Sequence, residues 1–442
     1  MSTMTSFKGK FRHTEAGGSL IGEGDCELVI EGESFLLVPS SGSPLACDLG
    51  EVNQCIPGEY EISLKLYAGD TILLTHFGKV FSTLSQTILE AYRARLVQCL
   101  LLEDLEEVER FDGWAQLDTH GTAVSSRVEI RLYRSSFAVL PETAAGFSWR
   151  YADIDGVDFE ETGYTLTIRS DSDRLVLTRL AKRTGELMQR LRNGISAVSE
   201  KGAHVISSLF PFLSPDQFTR VAGIFKEGRA VPVRSLIEID SRIENALAAN
   251  AVDSSLKEYL EFLQGISVAE EAYTGFKEIR TEETELENGE EAPPEPAGGP
   301  GETAGNSILH WFLFPLKTAG HPAVAANAVA WEAASATGRA TYFFRLVPPG
   351  EVSLLKDPGR SREAIAKAVR RLNRGIVTLN FRREPIYLPD DVLLMQKKYR
   401  RYAIACRRIP VLQELRASFL GRALHTSPEA WQKQVRAIVS GL

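Results

Sequence analysis

Cysteine is scarce in this chain of 442 residues. The five present, at 26, 47, 55, 99 and 406, form no CxxC pair, which excludes a local zinc ribbon or thioredoxin-like motif. An odd, sparse set predicts free thiols in a reducing, cytoplasmic compartment. No run of about 18 apolar residues occurs, so no helical membrane span is expected. The opening MSTMTSFKGKFRH lacks the apolar stretch of a signal peptide.

Histidine is sparse too. The seven, at 13, 76, 120, 204, 310, 321 and 425, give no HxH, HxxxH or HExxH spacing, so no local metal motif is present. A site joining His310 and His321 across the fold is the remaining candidate, and two unrelated histidines seldom make one. There is no GxSxG elbow, no Walker A sequence and no kinase signature. Gly298-Gly299-Pro300-Gly301 follows no strand and opens no helix, so it reads as linker. Asp153 and Asp155 stand at strand spacing, where turn and solvent roles are the common ones. No cofactor or metal is expected, and the chain reads as non-catalytic.

Charge is present and unevenly placed. The net charge is −8, yet from Asn306 onward 22 Lys and Arg face 9 Asp and Glu, leaving 28 against 49 in residues 1–305. Such asymmetry points to contact with nucleic acid, a membrane surface or an acidic partner, or to neutralisation of one half by the other. Length alone predicts about three domains.

The first half contains an internal repeat, offset by 102 to 104 residues. Phe35-Leu-Leu-Val-Pro39 corresponds to Phe137-Ala-Val-Leu-Pro141. Tyr60-Glu-Ile-Ser-Leu64 corresponds to Tyr164-Thr-Leu-Thr-Ile168, and Ile72–Lys79 to Leu175–Lys182. Cys26–Ile30 and Val128–Leu132 alternate with period two, the mark of strands with one buried face. A helical pattern closes each copy: Leu84, Ile88, Tyr92, Leu96 and Leu100 in the first, Leu187, Leu191 and Ile195 in the second.

Short antiparallel strands closed by one amphipathic helix, twice over, resemble the pleckstrin-homology (PH)-like superfold. The resemblance covers residues 20–103 and 115–199. It implies surfaces for inositol lipids, peptides or proteins, and tandem copies also occur in histone-chaperone subunits. Lipid-binding members carry cations around the first hairpin. Here the first hairpin turn reads as Glu31-Gly-Glu-Ser34, which is acidic. The second copy offers only Arg131, Arg134 and Arg150.

Residues 204–277 read as a helical unit of about four helices. Ser214-Pro215-Asp216-Gln217 is a capping box opening a helix to Gly228. A second helix is expected over Val233–Ala249, and Asp253 and Ser267 look like further N-caps. Phe210, Phe212, Phe218 and Phe225 supply its core. Residues 278–305, rich in Glu, Pro and Gly, predict a disordered acidic linker and the firmest domain boundary.

Residues 306–442 read as a basic α+β domain. Strands are expected at His310–Phe314, Arg339–Val347 and Val377–Phe381. Helices are expected at Ala323–Ala334, from Ser361 to Gly375, after Pro389, and from Ser427 to near Gly441. On the helix after Pro389, Val392, Met395, Tyr399, Tyr402, Cys406 and Ile409 fall on one side. Lys397, Arg400, Arg401, Arg407 and Arg408 fall on the other. With Arg370, Arg371 and Arg374 these form a candidate anion-binding set, Arg382 and Arg383 adding charge nearby.

The reading is therefore a multidomain α+β adaptor. Two PH-like repeats bind protein, and a tethered basic domain contacts an anionic surface or nucleic acid. Two alternatives follow from the same features: a PH-like module regulating an enzymatic or nuclease-like C-terminal effector, and peripheral recruitment to anionic lipids.

Overall fold

The computed structural model describes residues 5–119, 122–142, 145–170, 173–250, 256–268, 271–279, 307–317, 326–334, 340–347 and 358–440. The chain divides into two compact units, 1–195 with 388–413, and 196–387 with 414–442. None of the described helices is long and apolar enough to cross a membrane.

The first unit holds two seven-stranded antiparallel sheets. Strands β1 (Thr5–Thr14), β2 (Leu20–Glu31), β3 (Ser34–Pro39), β4 (Leu45–Asp48), β5 (Val52–Pro57), β6 (Glu61–Leu66) and β7 (Thr71–Thr75) lie in the order β4-β3-β2-β1-β7-β6-β5. Helix α1 (Phe81–Cys99) follows and buries Leu84, Ile88, Tyr92 and Leu96. The second sheet has β8 (Glu107–Thr119), β9 (Thr122–Tyr133), β10 (Ser136–Pro141), β11 (Phe147–Arg150), β12 (Gly156–Glu160), β13 (Thr165–Ser170) and β14 (Asp173–Thr178). Its order is β11-β10-β9-β8-β14-β13-β12, the same arrangement, and α2 (Thr184–Leu209) follows.

The correspondence reaches individual residues. Phe35 pairs with Ile30 and Cys47, while Phe137 pairs with Leu132 and Trp149, all offset by 102. Tyr60 and Tyr164 both take left-handed backbone (φ 63° and 47°), as do His76 and Arg179, then Gly78 and Ala181. Gly9 makes room for the Phe77 ring, where an added Cβ would stand 2.7 Å away, and Gly113 does the same for Leu180 at 2.9 Å. The two sheets share a core: Leu100, Leu102, Tyr133, Ala138 and Leu140 join the cluster built on the first sheet. Arg93 of α1 reaches Glu129 at 3.3 Å and Glu142 at 3.5 Å.

Both sheets start before the repeat limits expected from sequence, at Thr5 rather than 20 and at Glu107 rather than 115. In β1 only Phe7, Gly9 and Phe11 mark the inner face, too sparse an alternation to announce a strand. The true first hairpin therefore turns at 15–19, and the acidic turn Glu31–Ser34 is the second.

The second unit centres on a six-stranded antiparallel sheet. It comprises β15 (Val231–Pro232), β16 (Tyr273–Ile279), β17 (Ser307–Lys317), β18 (Ala326–Ala334), β19 (Ala340–Arg345) and β20 (Phe419–Leu424), paired in chain order. This overturns the expected boundary. Residues assigned to a separate helical unit and to a C-terminal domain share one sheet, with Tyr273 opposite Leu313 and Ile279 opposite Ser307. Of the expected acidic linker 278–305, Glu278 and Ile279 are strand, and 280–305 lies outside the described residues. His321 and Asp253 lie outside them as well.

The helices among this unit's described residues are α3 (Pro215–Ile224), α4 (Val233–Ile237), α5 (Arg242–Asn250), α6 (Lys257–Ile266), α7 (Pro358–Thr378), α8 (Glu384–Tyr387) and α12 (Pro428–Ser440). The capping box on α3 forms, Ser214 and Gln217 bonding reciprocally. The helix expected over Val233–Ala249 is two, and Ser267 ends α6 instead of opening a helix. Helices α6 and α12 cover one sheet face through Tyr259, Leu263, Trp431 and Val435 against Phe312, Phe314, Ala330 and Phe343.

Two further expectations change here. Of the alanine-rich 323–334, the described part, Ala326–Ala334, is strand β18, because a strand buried on both faces shows no alternation and its alanines stand opposite bulky neighbours, Ala333 opposite Trp311 and Ala330 between Phe314 and Phe343. Residues 377–381 are the end of α7 and a turn, with Asn380 and Phe381 left-handed. The segment 388–413 belongs to the first unit. Its expected single helix is α9 (Asp390–Met395) and α10 (Arg400–Arg408), followed by α11 (Pro410–Ser418).

Candidate functional site

Strands β4 and β5 are the two edges of the first sheet, and the 3-10 turn Leu49–Glu51 joins them. Asp48 caps this turn, its Oδ1 accepting from the Gly50 amide at 2.5 Å. Arg95 of α1 clamps the same carboxylate through Nε and a terminal nitrogen, both at 2.8 Å, and reaches Glu33 at 2.7 Å. At such a corner backbone carbonyls have no strand beside them, and buried acceptors need a donor.

Arg408 supplies it. Only 5% exposed, it donates from Nε to Gly50 O at 2.9 Å and from a terminal nitrogen to Leu49 O at 3.5 Å and to Val52 O. Its guanidinium lies over the rings of Tyr67 (5.1 Å) and Tyr92 (5.8 Å). Burial pushes the Tyr92 hydroxyl up to about 12, against the pull of Arg408, and that hydroxyl donates to Asn53 O at 2.9 Å. Arg407 bridges Asp390 at 3.1 Å and Glu51 at 3.3 Å. Arg401 pairs with Glu103 at 2.9 Å and Asp104 at 2.7 Å. The apolar side of α10 buries Tyr402 and Cys406, and Ile409 packs against the first core.

The eight expected anion-binding cations therefore separate. Arg407 and Arg408 engage the corner of the first sheet, and Arg401 engages Glu103 and Asp104 in the loop between α1 and β8. Lys397, on the turn after α9, and Arg400, the first residue of α10, stand exposed, near Met395 at 81% exposure, with Arg400 Nε donating to Leu394 O at 3.2 Å. Arg370, Arg371 and Arg374 lie on α7 of the other unit, where Arg371 meets Glu414 at 2.6 Å. In the second copy Arg131 pairs with Glu129, Arg134 with Glu106 and Arg150 with Asp153. Arg383 lies over the rings of Trp331 and Tyr342, 5.7 Å from each.

A second polar group was not legible from sequence. Fully buried Glu332 of β18 accepts through Oε2 from Thr341 Oγ1 at 2.6 Å, and His425 Nε2 lies 3.1 Å from both. Trp431 Nε1 donates to Thr341 Oγ1 at 2.9 Å, and the Tyr259 ring lies 4.4 Å from the imidazole. A nucleophile relay needs hydroxyl and carboxylate on opposite ring nitrogens. Here both share Nε2, so the group ties α12 to the sheet instead. The available signal was one glutamate in the run Ala-Asn-Ala-Val-Ala-Trp-Glu-Ala-Ala.

Among the described residues no three His, Cys, Asp or Glu side chains gather in metal-holding geometry. All five cysteines are free and buried, and burial raises the thiols of Cys47 and Cys55 to about 12.

No family model matches the chain, and no curated protein matches it. Among solved structures, one described as "Structure of the Spt16D Pob3N heterodimer" is similar over 38% of this chain and 84% of its own, at 12% identity and a TM-score of 0.18. A score this low leaves the fold to be judged from the chain's own strand order.

Proposed function

We propose that this chain is a non-catalytic binding protein of the adaptor kind, with residues 5–99 and 107–209 as two PH-like repeats that serve as docking surfaces. The observation that carries the reading is the corner at Leu49–Glu51. There a sheet edge takes up an arginine-bearing helix from more than three hundred residues away, by carbonyl, carboxylate and ring contacts at once. A surface that holds such a segment is a protein-recognition surface in its chemistry.

Contact with an anionic partner falls to Lys397 and Arg400, the two exposed cations of the set in this unit. Light scattering on the tagged full-length chain isolated from its own cells tests the adaptor reading. A defined stoichiometric complex that dissociates as salt rises is expected, and a chain that elutes only as itself argues against it. Reversal of both cations (Lys397→Glu with Arg400→Glu) should weaken retention on heparin at low salt. Unchanged retention removes these residues from the anion contact.

A further inference from the structure

The two copies differ at one place where their folds agree. In each, the first strand outruns its neighbour: β7 pairs with β1 only over Lys10–Thr14, and β14 pairs with β8 only from Trp114 onward. Among the described residues, 5–9 and 107–113 thus have an edge with no strand beside it. Exposed edges invite another chain, and proteins blunt them.

The second copy blunts its edge with arginines. Arg183 donates to Arg110 O at 2.9 Å, pairs with Glu109 at 2.6 Å and lies 4.1 Å over the Phe111 ring. Arg179 lies 4.7 Å over Trp114. The repeat offset puts Val80 where Arg183 stands, His76 where Arg179 stands, Lys10 for Trp114 and Ser6 for Arg110. None of these can form the seal. Val80 is 44% exposed, and Ser6, Lys8, Lys10, His76 and Lys79 are exposed around it. A concavity of about 490 Å³ lies over β1, β2 and β3, lined by Lys8, Lys10, Asp25, Glu27, Val38 and His76 among others, and reaches the edge only through Lys8, Gly9 and His76.

Charge selects the occupant. The acidic residues nearest, Asp25 and Glu27 of β2, line that concavity opposite Lys10 and Lys8, on the far side of β1 from the open edge. Lys10 is 4.0 Å from Asp25 with both side chains more than half exposed, a weak pair. The open side presents Lys8, Lys79 and His76 with one apolar contact at Val80.

We infer that the N-terminal half of β1, Thr5–Gly9, is a docking edge for an extended acidic segment of a partner protein, which adds to the sheet as a strand. Main-chain hydrogen bonds to 5–9 hold it, an apolar side chain rests on Val80, and alternate carboxylates meet Lys8 and Lys79. This surface is separate from the Leu49–Glu51 corner, so either can fail alone.

Fluorescence anisotropy of the full-length chain with a labelled peptide of alternating valine and glutamate provides the test, beside a valine–lysine control. The acidic peptide should bind saturably, more weakly as salt rises, and slow amide exchange at 5–9. Val80→Arg, which installs the seal of the second copy at an exposed site, should weaken binding at least tenfold, and Lys8→Glu should weaken it several-fold. Equal binding of the two peptides, no binding, protection at the β4 or β5 edge instead, or full affinity in Val80→Arg would each overturn the inference.

Discussion

A single guanidinium decides how the corner of the first sheet is satisfied. Replacing Arg408 with alanine removes the side-chain donor to the buried carbonyls of Gly50 and Val52, while Leu49 O keeps the Val52 amide, a loss of about 2–3 kcal/mol. The urea midpoint should fall accordingly and amide exchange at 49–53 should quicken. Arg408→Lys should recover less than half, because one ammonium cannot span the fork that serves several acceptors. His310 acts in the opposite sense, as a group kept neutral. Burial pushes its imidazole down to about 4. The unfolded chain therefore takes up a proton that the folded chain refuses. Stability from this site is whole above about pH 6.5 and is lost as pH falls toward 4, by about 3 kcal/mol across that window. In His310→Gln the fall in urea midpoint between pH 7 and 4 should be shallower; an unchanged slope would show that His310 does not set it.

At the scale of elements, the repeat allows one copy to correct the other. Gly78 and Ala181 occupy the same left-handed position, φ 56° and 51°, just before α1 and α2. Left-handed backbone costs an L-residue about 1–2 kcal/mol relative to glycine. Ala181→Gly should therefore raise the thermal midpoint, and Gly78→Ala should lower it by about 1 kcal/mol in stability. Scanning calorimetry on the two variants gives both signs in one experiment. Much at this scale was legible beforehand: Cys26–Ile30 alternates because one face is buried, and Ser214-Pro215-Asp216-Gln217 caps α3 through side-chain chemistry that acts within one turn. Strand β18 and the break between α9 and α10 were not. Alanine favours helix in isolation, and the cations of 397–408 sit at helical spacing, but what decides each is the neighbouring strand or carboxylate supplied from elsewhere.

For the whole molecule, the acidic segment matters through what it connects. Strands β16 and β17 are antiparallel neighbours with Ile279 opposite Ser307, so 280–306 is the connection of a hairpin. Replacing 280–306 with a short Asn-Gly turn should leave the second unit folded and stabilise it by about 1–2 kcal/mol, since loop closure costs grow with the logarithm of length. Circular dichroism with a urea titration checks it, and loss of the folded signal would mean that these residues contribute more than a tether. The repeat, the free thiols, the scarcity of catalytic motifs and the charge division follow from the chain alone, because each is a matter of residue type and local spacing. Tertiary structure decided where the charge division is resolved: Arg401, Arg407 and Arg408 meet Glu103, Asp104, Glu51 and the corner carbonyls, hundreds of residues distant. It decided equally that strands on both sides of the acidic segment make one sheet. Pairing of this kind depends on which backbone edges and buried acceptors come together in space, and residue spacing along the chain carries no record of it.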